Sequence, residues 1–92
     1  MIHETKHDLK CVTEPFQAKW DKKKSWEFRK NDRNFKVGDL LLEKEYDPIT
    51  DTYSGREILE EVIWILPGGQ FGVPDDCVIM STKEIYKLSN NE

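Results

Sequence analysis

A chain of 92 residues with a net charge of −4 is one small domain with a modest core, and its overall acidity argues against a generic polyanion binder. Charged residues make up 35% of it and hydrophobic residues 37%. No apolar run approaches the roughly 20 residues of a membrane span and no charged-then-apolar leader opens it, so a cytoplasmic protein without a membrane partner is expected.

Residues 1–6 carry no apolar period and read as a flexible arm, residues 7–88 as a single domain and residues 89–92 as a tail. HDLKCV, His7 to Val12, alternates as a short strand with Leu9 and Cys11 on one face. Thr13-Glu14-Pro15 is a helix start, with Thr13 as the expected cap. Phe16, Lys19 and Trp20 share a helical stripe of about two turns that ends in the run Lys22-Lys23-Lys24. Ser25 to Lys30 alternates again. Its phasing assigns Trp26 and Phe28 to the core and Ser25, Glu27 and Arg29 to the opposite surface.

Asn31-Asp32 marks a turn, and Gly38 is placed to supply a positive φ before the strand Leu40 to Tyr46. DPITDTYSG, Asp47 to Gly55, closes a hairpin onto a long return strand, Arg56 to Leu66. Ile58, Val62 and Trp64 are in phase there, and Glu60 interrupts that apolar face as an acid that would need a partner if buried. PGGQFGVPDD reads as an ordered loop packing Phe71 and Val73, and lacks the lysine and following helix of a phosphate-cradling loop. Cys77 to Ser81 is a strand that KEIYKL extends or follows as a last edge. Cys11 and Cys77 sit in apolar stretches and are expected to be free and buried. The order predicts an α+β, mostly β fold: a small mixed barrel with one or two short helices.

Charge is unevenly spread. Between Lys19 and Lys36 eight basic residues stand against three acids, a local +5 that leaves −9 for the rest. Such a field steers an anionic partner to one face. Lys22, Lys23, Lys24, Lys30 and Arg33 supply it, and Arg29 adds a planar fork for phosphate beside Glu27. Trp20, Trp26, Phe28 and Phe35 are interleaved with these charges and would be stacking platforms if exposed, although periodicity turns Trp26 and Phe28 inward. Metal chemistry is not expected: His3 lies in the arm, and His7 and Cys11 lack the close paired spacing of a zinc site. The remaining enzymatic arrangement is a lysine–carboxylate pair, Lys24 and Glu27, with Glu57, Glu60 or Glu61 as a second acid.

Lys24 to Arg29 spells K-x-x-E-x-R. It resembles the signature G-x-K-x-x-E-x-R of ASCH domains in the PUA-like superfamily. The likeness runs on through N-D-R-x-F-x-V-G-D, the E-Y-D-P turn and FGVPDDCVIM, over roughly residues 7 to 82, and is similar to a small bacterial and phage ASCH-like family of unknown function. Lys22 stands where the signature has glycine. The resemblance implies a compact PUA-like barrel and RNA or nucleotide binding in a cleft formed by Lys24, Glu27 and Arg29, by a monomer without a cofactor. Some PUA-like relatives are amidohydrolases of acetylated cytidine that use a lysine, a threonine three residues on, and a distant glutamate. Here the threonine position is Glu27, so no catalytic residue is assigned. Hydrolysis of a modified nucleoside and a protein-interaction module remain the alternatives.

Overall fold

The computed structural model describes residues 5–89. His3, most of the expected arm and the last three residues of the expected tail lie outside that range. Lys6, expected in the arm, already opens the first strand. The elements are β1 (Lys6–Cys11), α1 (Thr13–Trp20), β2 (Trp26–Lys30), β3 (Leu40–Asp47), β4 (Thr52–Leu66) and β5 (Cys77–Leu88). They form one curled five-stranded sheet in the order β1-β3-β4-β5-β2. β1 runs parallel to β3, and every other pair is antiparallel. The result is the expected α+β, mostly β fold, built as a half-barrel whose edges are β1 and β2.

The concave face holds two apolar clusters. Leu9, Phe35, Leu41, Val62, Val78 and Met80 form one, and Cys11, Phe16 and Ile58 form the other, with Trp20 packed against it. Phe16 and Trp20, one turn apart, bring α1 onto this second cluster. Arg56 fastens the helix from the sheet side: it pairs with Glu45, donates to Gln17 Oε1 at 2.8 Å, and lies over the rings of Phe16 and Trp20. Cys11 and Cys77 are both buried and free.

Four expectations are corrected. Thr13 does not cap α1; Val12 occupies that position and makes no side-chain cap. Phe71 projects into solvent at 87% exposure while Val73 is buried, because the loop turns through positive φ at Phe71 and Gly72. Trp64 is exposed, since a bulge between Val62 and Trp64 inserts Ile63 and reverses the phase of the strand beyond it. Trp26 and Phe28 are also exposed, and Glu27 between them is buried. Alternation was legible in β2, but its two faces are exchanged.

The exit from α1 explains one sequence anomaly. Lys22 N–H donates to Lys19 C=O at 3.0 Å and Lys23 N–H to Ala18 C=O at 2.8 Å, the paired bonds of a Schellman motif. The motif requires a left-handed residue after the cap, and Lys22 has φ 62°. Glycine is the low-cost occupant of that position; the lysine here carries a steric penalty and a weak exposed contact to Glu84 at 3.2 Å. Lys22→Gly is expected to raise the unfolding free energy by about 0.5–1 kcal/mol in urea titration, the left-handed penalty outweighing the gain in unfolded-chain entropy. A loss of stability would mean that the Glu84 contact dominates.

Candidate functional site

Between the two apolar clusters the half-barrel encloses charge. Glu27 from β2, Glu43 from β3, Glu60 from β4 and Lys19 from α1 are all buried. Lys19 Nζ donates to both oxygens of Glu60, at 3.0 and 2.9 Å, and lies 3.4 Å from Glu27 Oε2. Lys24 reaches the same Glu27 oxygen at 3.3 Å. Arg29 Nε donates to Glu27 Oε1 at 3.0 Å, and its Nη2 donates to Glu43 Oε1 at 3.2 Å and to the Lys10 carbonyl at 3.0 Å. Glu27 therefore has both oxygens occupied by cations. It holds Lys24 and Arg29 in place and has no free edge for a base.

The four carboxylate and ammonium groups respond to burial in different ways. Burial works against the charged Lys19, but Glu27 and Glu60 outweigh it and hold the ammonium above its ordinary value. Glu27 is likewise opposed by burial, and Lys19, a hydrogen bond with Glu43, Arg29 and Lys24 bring it below the usual carboxyl range. Glu60 stays raised by burial despite Lys19. Burial, with Glu27 beside it, pushes Glu43 well above the ordinary carboxyl value. Glu43 Oε2 is buried without a hydrogen-bond partner, a position less costly for a neutral carboxyl than for a carboxylate. Burial pushes the Cys11 thiol up to about 12, so it is a neutral core group.

Cys11, Glu27 and Glu43 bring donor atoms within 4.8 Å of one another. A dication there would face Lys19, Lys24 and Arg29 at close range. The chain's own cations already balance these acids, so the donor set does not suit a metal.

Outside this cluster lies the seam between the free edges of β1 and β2. Arg29 crosses it to Lys10, and Arg33 Nη1 donates to the Asp8 carbonyl at 2.6 Å, so arginine side chains take the place of ladder bonds. One cavity of about 330 Å³ is lined by Lys10, Cys11, Val12, Lys24, Trp26 and Phe28, among others. A second, of about 480 Å³, continues past Lys10 and Arg29 to Arg33 and Lys44. Lys24 Nζ lies 4.5 Å from the centre of the Trp26 ring.

Lys24, Glu27 and Arg29 are thus brought together, and Arg33 extends the seam. Lys30 is solvent-exposed and pairs with Asp76 at 3.4 Å. Lys22 is exposed toward Glu84, and Lys23 is exposed beyond the helix end. Lys10, Lys19, Glu43 and Lys44 were missed as site residues. Two of them had a readable signal: Glu43 falls in phase with buried Leu41, and Lys19 lies one turn from Phe16.

A half-barrel with a buried ion network behind a basic, aromatic-lined seam defines a small β-domain with one prepared surface. The chain belongs to the family described as a domain of unknown function, DUF3850, which matches residues 6–82. No curated protein matches it. Among the described residues no helix is long and apolar enough to cross a membrane.

Two outcomes test the network. Lys19→Met leaves Glu27 and Glu60 without their shared buried cation and is expected to cost about 3–5 kcal/mol in urea unfolding; a cost below about 1 would show that the acids are neutral or relax to water. Glu43 gives a pH signature. Its raised native value contributes stability that is full below the ordinary carboxyl value of 4.5 and is lost as pH rises toward the native value. Glu43→Gln keeps the neutral shape and cannot ionise. Its stability relative to the parent chain is therefore expected to climb as pH rises above 4.5, and a difference that is flat or falling up to about pH 8 would contradict a neutral Glu43.

Proposed function

We propose that this domain binds short single-stranded RNA along the seam between β1 and β2. One observation carries the reading: Trp26 and Phe28 stand about half exposed in the same cavity as Lys24 and Arg29. A base has an aromatic surface there, and its phosphate has an ammonium and a guanidinium. The cavity volume of about 330 Å³ lies in the range that takes a small ligand such as one nucleotide. Lys10, Arg33 and Lys44 line the adjoining cavity for the next phosphates, with Asp8, 3.4 Å from Lys44, as the one acid among its lining residues. Glu27 works behind the surface by fixing Lys24 and Arg29, so their ordering is complete before RNA arrives.

The ASCH resemblance of Lys24 to Arg29 supports the same reading and extends it to a PUA-like origin of the half-barrel. Lys22, Lys23 and Lys30 contribute field rather than contacts. The domain acts as a cytoplasmic monomer with reduced thiols, as expected for two separate buried cysteines.

Titration with a uridine or adenosine hexamer near 20 mM salt, followed by amide chemical shifts, is expected to perturb β1, β2 and the lysine turn. The logarithm of affinity should fall with the logarithm of salt at a slope of about −0.7 for each phosphate engaged. Lys10→Ala and Lys24→Ala should each weaken binding and flatten that slope. The absence of any shift at low salt, or variants that bind as the parent does, would overturn the proposal.

A further inference from the structure

The bulge in β4 does more than expose one tryptophan. Trp26 and Trp64 both pair with Ser81, from opposite sides of β5. Two residues along, Phe28 and Leu66 both pair with Ile79. Directly paired residues project from the same face of a sheet, and so do residues two apart. The six side chains therefore make two adjacent rows on the convex face, Trp26-Ser81-Trp64 and Phe28-Ile79-Leu66. The opposite face of the same strands carries Glu27, Met80 and Ile65, which are buried or packed against the core. Without Ile63 as the extra residue, Trp64 would keep the inward phase of Ile58 and Val62. The bulge turns it to the side that Trp26 occupies.

We infer that this convex face is a second stacking platform, on which Trp64 receives a base of the RNA strand that leaves the seam at Trp26. The inference rests on the RNA-binding reading and extends its footprint across β5. Trp26 belongs to both surfaces, since it lines the seam cavity and heads the first row. Trp64 lies two strands away, roughly 10 Å at ordinary strand spacing, so an extended strand leaving Trp26 reaches it within one or two nucleotides. Its residue surface is 57% exposed, against 48% for Trp26 and 47% for Phe28.

Continuity with the seam selects the occupant. Lys24 sits over Trp26, where the two surfaces meet. Lys30 and Lys83 follow Phe28 and Ser81 along their strands in exposed positions, with Asp76 3.4 Å from Lys30 and Glu61 directly opposite Lys83. A polyanion with flat apolar bases satisfies the rings and the Lys24 ammonium together.

The test compares dinucleotide and hexanucleotide RNA binding by chemical-shift titration in the parent chain, Trp64→Ala and Trp64→Phe, with sedimentation equilibrium for self-association. Trp64→Ala is expected to leave dinucleotide affinity unchanged and to weaken hexanucleotide binding roughly tenfold, with Trp64→Phe restoring most of it. If the parent binds neither oligomer, the RNA-binding reading itself fails. If the parent binds both and Trp64→Ala binds both equally well, the seam reading stands and the platform is overturned. A loss of equal size for both lengths would also overturn it, as would parent dimers that Trp64→Ala dissolves and RNA does not.

Discussion

The bond between Lys19 and the acids of the sheet is the constraint on which the rest of this molecule depends. A domain of this size has little apolar surface to spare, yet it places an ammonium and three carboxyl groups in its interior. Any one of those groups alone would be costly to bury. They are tolerable together because Lys19 meets Glu60 through two hydrogen bonds, Glu27 meets three cations, and Glu43 is suited to hold a proton. The cluster also ties in β2, which contributes no residue to either apolar cluster. Lys19 comes from the helix, and its partners come from β2 and β4, with Glu43 from β3 beside them.

This arrangement explains why β2 faces as it does. In a strand of five residues, one inward position decides the facing of all the others. Glu27 is drawn inward by Lys19, Lys24 and Arg29, so Trp26 and Phe28 must point out. Burying the two aromatics instead would release more water from apolar surface, but it would strand Lys19 and Glu60 without Glu27. Removing one member of a buried ion group costs about 3–5 kcal/mol, which is comparable with the gain from burying one large side chain. The exposed aromatics are thus the consequence of an internal ion network, and they supply the flat surface that the proposed function uses.

Much of the fold was legible in the sequence because it follows from period and punctuation. The strand in HDLKCV, the helix after Thr13, the positive φ at Gly38 and the inward Glu60 all rest on local rules that the structure keeps. The facing of β2 was not legible, since alternation fixes which residues share a side but leaves the side itself to distant partners. Trp64 escaped for a related reason: a bulge is set by the register against β5, and nothing in the sequence around Ile63 announces it. Lys24, Glu27 and Arg29 were named as a group through the ASCH resemblance, but their roles divide once the third dimension is known. Glu27 is interior support, and Lys24 and Arg29 are the groups that face the seam.

The seam shows how an interrupted barrel can remain ordered. β1 and β2 do not pair, and a free edge exposes backbone groups that invite another strand. Here Arg29 and Arg33 span the gap and donate to carbonyls of Lys10 and Asp8. A guanidinium is suited to this because it can satisfy a carbonyl with one nitrogen while another serves a carboxylate, and Arg29 does both. The closure leaves a positive, incompletely filled groove where a complete ladder would leave none. The same two arginines that protect the edge from strand addition therefore make it attractive to an anion. An opening that is shut by charge, with acids held behind it and aromatics turned out beside it, is the feature on which the proposed RNA binding rests.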